Sequence, residues 1–207
     1  MSFGDYICPA GDLEQPADLE CAFNLWQIQK MWIYKDKGGY VPFATAADAE
    51  TALATTAAFA GVGDEIMIST PFIENLEIPT SEEVTEAGGT NATVDGQEII
   101  VGVNPIIVNS PMIREVNPAI VRALKKLNGI PSLRAYFVNE FGDVMGDEVT
   151  DGGEFRGFKL NSLFIKEPQR MGKNTNDKMP LRFGLNYGWA DNLKKVRPTD
   201  YDALNDY

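Results

Sequence analysis

This sequence predicts an α+β architecture that is mainly β: an antiparallel β-sandwich or barrel with one flanking α-helix. Three observations predict it. Short alternating or β-branched apolar runs recur along the 207 residues, 19 glycines and 12 prolines punctuate them, and only two segments carry helix signals. A chain of this length forms one domain, 1–207, and buries roughly 70% of its unfolded surface. Hydrophobic content of 44% with 23% charged residues is that of a globular protein. There is no internal repeat and no linker that divides two domains.

The elements follow in order. "LWQIQKMWIYK" (25–35) places Trp26, Ile28, Trp32 and Tyr34 on one strand face, with one helical turn before it, although Leu19, Phe23, Trp26 and Ile33 also make a helical stripe. "TAADAETALATTAAFAG" opens on Thr45 and Asp48 and closes at Gly61, so it predicts an Ala-rich helix over about 45–60. Strands are expected near 65–69, 72–78 and 97–109, the last interrupted by Gly102 and Pro105 as at an edge or bulge.

Between the second and third of these strands lies a long acidic loop, about 79–96. A flanking helix over about 117–128 then has Asn117 as N-cap, Pro118 at its first position and Ile120, Val121, Leu124 and Leu127 as an apolar stripe. Gly129 and Pro131 end it. "LRAYFVNEFGDVMG" reads as a hairpin turning at 139–142, and 155–166 as another strand. In "LRFGLNYGW", Leu181, Phe183, Leu185, Tyr187 and Trp189 face one way, and the glycines opposite predict a close neighbour. A polar connector (167–180) precedes that strand, and a non-periodic C-terminal tail (198–207) ends the chain.

The formal net charge is −12, and it is unevenly spread. Residues 38–113 carry eleven acidic side chains and no basic one, whereas 114–207 carry fifteen basic and thirteen acidic. Tight nucleic-acid binding needs clustered cations, so this balance disfavours a phosphate-binding surface. The two halves are suited either to meeting head to tail in an assembly or to forming a solvated acidic face. Cys8 and Cys21 match no zinc pattern and read as free thiols in a reducing cytosol. No secretion signal or membrane-length apolar run is present. Without such a signal, the sequon at Asn91 carries little weight.

The absence of histidine removes histidine-activated nucleophiles, histidine general bases and the commonest metal ligand, which argues against an enzyme. Glu82, Glu83 and Glu86 lie close together, but a Gly-containing loop is a poor frame for two rigidly spaced catalytic carboxylates. Asp143, Asp147, Asp151 and Glu154 form an oxygen-rich stretch that misses the EF-hand spacing and reads as a solvated loop rather than a calcium site. The "GVG" at 61–63 is too short for a phosphate loop. Trp26, Trp32 and Trp189 read as core rather than as sugar platforms. No catalytic, cofactor-binding or metal residues are expected.

A strand leading into "PTSEEVTEAGGTNATVDG", a return strand, "NPAIVRALKKLNG" and a run of hairpins with "YFVNEFGDVMG" and "GWADNLKKVRP" together resemble the virion structural proteins of tailed bacteriophages. Within that group the stretch 72–198 is most similar to the tail tube proteins. The resemblance implies a self-assembling, non-enzymatic protein without cofactor, located in the virion and made in the host cytoplasm. It implies hexameric rings stacked into a hollow tube, with inner sheets joined in a continuous barrel and a long loop reaching the next ring.

Partners so implied are copies of the chain, other virion proteins, and DNA passing an acidic lumen without specific binding; no membrane is involved. Ser81, Glu82, Glu83, Thr85, Glu86, Gly88, Gly89, Thr90, Asn91 and Asp95 would form the inter-subunit loop. Asn117, Pro118, Leu124, Leu127 and Trp189 would pack the assembly. The Ala-rich helix has no place in this pattern. Two alternatives stay open: a capsid auxiliary or head-completion protein, and a carbohydrate-binding β-sandwich.

Overall fold

A computed structural model describes residues 27–37, 39–61, 63, 65–86, 99–114, 118–148, 153–169 and 177–207. The expected helical turn before residue 27 and both cysteines lie outside them.

The chain is mainly β, an antiparallel sheet curled into a half-barrel with two helices. The strands are β1 (Ile28–Lys35), β2 (Met67–Ser69), β3 (Ile73–Glu74), β4 (Glu83–Glu86), β5 (Ile99–Val103), β6 (Ile106–Val108), β7 (Met112–Ile113), β8 (Leu133–Asn139), β9 (Val144–Glu148), β10 (Phe155–Arg156), β11 (Phe158–Ile165), β12 (Met179–Leu185) and β13 (Leu193–Val196). The helices are α1 (Ala52–Phe59) and α2 (Pro118–Lys125). One path of the large sheet runs β10-β9-β8-β11-β12-β7-β3; β1 joins β8 and β2, β13 joins β9, and β6 joins β12. Strands β4 and β5 form a separate two-stranded sheet.

The sheet buries both faces over much of its area. Met31 and Ile33 of β1, Phe137 of β8, Leu163 of β11 and Phe183 of β12 share the inner core, which Leu124 of α2 and Leu127 in the turn after it close. Trp32, Tyr34, Tyr136, Val138 and Val144 point the other way into a second core under α1. The expected shared face of Ile28, Trp32 and Tyr34 is therefore corrected. A register shift between Ile28 and Lys30 sends Ile28 into the inner core, opposite Trp32, because one extra residue reverses strand parity.

The Ala-rich segment is also shorter than expected. Asp48 accepts hydrogen bonds from Thr45 N and Oγ1 at 2.9 and 3.1 Å, which starts a 3-10 turn at Ala46–Glu50. Thr51 is extended, with φ −105° and ψ 137°, so the helix restarts as α1. Asp200 Oδ1 receives Ala52 N at 2.8 Å and caps that second start.

The 198–207 segment packs on this layer. Tyr207 stacks on Phe59, with ring centroids 4.8 Å apart, and meets Trp32 edge-on. Tyr201 Oη donates to Ala49 O at 2.6 Å.

The 133–146 hairpin is as read, turning through Gly142 at φ +77°. Asn139 Oδ1 accepts the amides of Phe141 and Asp143 and holds the turn. The 155–166 strand is two strands, β10 and β11, separated at Gly157. Its amide donates to Tyr34 Oη at 3.1 Å, its carbonyl accepts Arg134 Nη1 at 2.9 Å, and Tyr136 Oη donates to Phe155 O at 2.7 Å. Burial pushes the Tyr34 phenol up to about 12, so it stays protonated at neutral pH.

A Cβ on Gly157 would meet the Ala135 backbone at 2.8–3.0 Å. Gly157→Ala is accordingly expected to destabilise the fold by about 1–3 kcal/mol. The urea midpoint will show this; an unchanged midpoint would mean that β8 yields to the methyl group without cost.

The strand read over 181–189 ends at Leu185, and Tyr187 and Trp189 lie in the following turn. Trp189 still reaches the inner core, its ring 5.0 Å from that of Phe158 at 82°. The predicted close neighbour is present at Gly184, where a Cβ would lie 3.2 Å from Ser162 Oγ.

Candidate assembly surface

Residues 79–96 were expected to form one loop between strands, and the structure corrects this at its start. Glu83–Glu86 is strand β4, paired antiparallel to β5 in the register Glu83↔Val103, Val84↔Gly102, Thr85↔Ile100 and Glu86↔Ile99. Val101 has no partner in this register, so the bulge expected near Gly102 falls beside it. Asn104 N donates to Glu82 O at 2.8 Å and fastens the base of the pair. Pro105 then interrupts the backbone, and β6 joins the large sheet. The segment read as one strand over 97–109 thus serves two sheets.

The resulting β4–β5 arm pairs with no other strand among the described residues. Its apolar side chains are open to solvent: Val84 is 39% exposed, Ile100 65%, Val101 57% and Val103 40%. Glu82 and Glu83 are exposed beside them. Ile100 and Val103 share one face with Glu83 and Thr85, and Val84 lies on the other; a lone two-stranded ribbon is marginal in water. Among the described residues no further strand pairs with its outer edges, and a free strand edge is a template for association.

Of the expected inter-subunit residues, Ser81, Glu82, Glu83 and Thr85 are brought together on this arm. Glu86 ends β4; Gly88, Gly89, Thr90, Asn91 and Asp95 lie outside the described residues. The four apolar residues were missed as site residues. The run "IIVGV" reads as a core strand until its partner is seen to be the acidic β4.

Pro118 begins α2, and Asn117 lies outside the described residues. Leu124 and Leu127 are 0% and 8% exposed, and their side chains sit in the subunit's own core with Trp189 against it.

Acidic residues before position 114 meet the mixed second part within the chain at some points. Glu74 is paired with Lys178 and with Arg114, and Asp36 with Arg134 at 2.7 Å.

Asp143 is not open to a cation. It is 1% exposed and held by Arg197 through Nε at 2.6 Å and Nη2 at 3.2 Å, with Asn139 Nδ2 at 3.2 Å. Asp147 lies on β9, Glu154 pairs with Arg156, and Asp151 is outside the described residues. Among the described residues no cluster of three acidic, Cys or His side chains is placed to hold a metal.

Burial pushes the Asp143 carboxyl up, but Arg197, Asn139 and Lys195 outweigh it and hold it below its ordinary 3.8. A carboxyl with a depressed folded value stabilises the fold above the unfolded value and loses that contribution as pH falls through the folded one. The wild-type urea midpoint is therefore expected to fall more steeply than that of Asp143→Asn as pH drops below about 4. Parallel pH profiles would contradict the pairing.

No family model matches the chain, and no curated protein matches it. Among solved structures it is similar to one described as Hcp protein. That likeness covers 76% of this chain and 88% of that chain at 11% identity, with a TM-score of 0.26, which is too loose to carry an argument.

Proposed function

We propose that this chain is a non-enzymatic structural protein that assembles with copies of itself, in the form of stacked rings of a phage tail tube with an acidic, DNA-conducting lumen. The observation that carries self-assembly is the β4–β5 arm, with four exposed aliphatic side chains on a ribbon that pairs with no other strand among the described residues. A subunit that met only solvent would gain nothing from them. The tube form rests on the sequence resemblance over 72–198. An acidic run without a single cation over 38–113 supports it, because like charges within a screening length of about 8 Å keep phosphate from adhering. The other virion proteins, the virion location and synthesis in the host cytoplasm belong to the same reading.

Electron microscopy of the purified protein tests the proposal. Hollow filaments or six-fold rings are expected. A monodisperse monomer at high concentration that binds glycans would overturn it in favour of the carbohydrate-binding alternative.

A further inference from the structure

The large sheet is covered unevenly on the side opposite the inner core. Over β1, β8 and β9 that side lies beneath α1 and the 198–207 segment. Over β11, β12 and β6 it carries exposed side chains. Phe164 is 52% exposed and Ile107 40%, and Lys159, Lys166 and Arg182 are exposed with them. The register places Phe164 beside Arg182, and Ser162, Gly184 and Ile107 in one row across the three strands. Gly184 leaves that row low between its neighbours.

None of the three strands contains an aspartate or glutamate. Among the described residues, Lys159, Lys166 and Arg182 enter no ion pair; nearby Glu167 is taken by Lys125.

We propose that this bare face is the seat for the β4–β5 arm of a second copy of the chain. The inference rests on the self-assembly reading and says where the contact is made. The arm is apolar and acidic with no cation within 38–113, while the seat is apolar and basic with no carboxylate on its strands. Contacting them buries Ile100 and Val103, which share one face of the arm with Glu83 and Thr85, against Phe164 and Ile107, and sets Glu83 near Arg182. Complementary charge of this kind fixes register and suppresses wrong pairings. The arm of the same subunit does not fill the seat, since β4 and β5 pack broadly only against each other.

Two measurements test the seat. In the first, Val103→Cys, on the same face of the arm as Glu83, and Phe164→Cys are made on separate chains in which Cys8 and Cys21 are replaced by serine, and the two proteins are mixed under mild oxidation. Mixed disulfide dimers are expected in amounts well above those of either protein alone. In the second, Arg182→Glu is expected to raise the concentration needed for assembly by about tenfold or more, and adding Glu83→Arg to the same chain to restore most of it.

If the wild type assembles while Arg182→Glu assembles equally well and no mixed dimer forms, the seat is wrong and self-assembly stands. If the wild type remains monomeric at every concentration, both fall. Duplex DNA binding that Arg182→Glu abolishes without touching assembly would make the face a phosphate surface and overturn the proposal. Should Arg182→Glu fail to fold, the cysteine pair decides alone.

Discussion

Replacement of residues 83–103 by a short glycine-serine linker is expected to abolish assembly while leaving the subunit's thermal transition within about 3 °C of the wild type. The described side chains of the segment, at 83–85 and 100–103, belong to neither core. What it removes is exposed aliphatic surface and a ribbon that pairs with no other strand among the described residues, features that stabilise contact between chains and do little for an isolated one. The two readouts, calorimetry and sedimentation, separate these roles. A transition lowered by ten degrees would mean that the arm supports the fold; normal assembly without it would mean that the subunits join elsewhere.

Trp32→Ala is expected to have the largest effect on stability. Trp32 is fully buried and touches three rings, those of Phe59, Tyr201 and Tyr207. It thereby ties β1 to α1 and to the 198–207 segment. Emptying such a site costs about 3–5 kcal/mol, which for a chain of this size lowers the melting temperature by roughly 6–20 °C.

Trp32→Phe should cost much less. The indole Nε1 has no hydrogen-bond partner among the described residues, and a buried orphan donor is itself a penalty of about 1–3 kcal/mol. Equal losses for Ala and Phe would show that Nε1 is satisfied in solution. Urea denaturation of the three proteins side by side makes the comparison.

How much of this was legible in the sequence depended on whether the deciding physics was local. The 133–146 hairpin was readable because Asn139 and Gly142 satisfy a turn within four residues. Helix α2 was readable because Pro118 and the apolar stripe mark its start and face, although it ends at Lys125, short of the expected 128, and 126–129 form a turn. The face assignment of Ile28 was not, because alternation is a parity rule and a bulge set by pairing with β8 reverses it. The break at Gly157 follows from the approach of Ala135, a contact 22 positions away in the chain.

The 198–207 segment has no periodicity of its own. Its order comes from Tyr201 and Tyr207 meeting a layer built by residues 46–59. The arm was half legible. Acidity and the absence of lysine and arginine marked 79–96 as an excursion, but only pairing showed that its first residues are a strand. Likewise, only pairing showed that "IIVGV" leaves the core for that strand.

Residue-level hydrogen exchange at rising protein concentration measures the arm's role most directly. In dilute solution the amides of β4 and β5 are expected to exchange nearly as fast as an open chain, since a lone ribbon opens readily. In the same samples the amides of β8 and β12 should be strongly protected. As the sedimentation coefficient climbs with concentration, protection should appear on β4 and β5, while β8 and β12 stay as they were. Arm amides that exchange alike at every concentration, in a protein that sediments throughout as a single subunit, would contradict self-assembly through the arm.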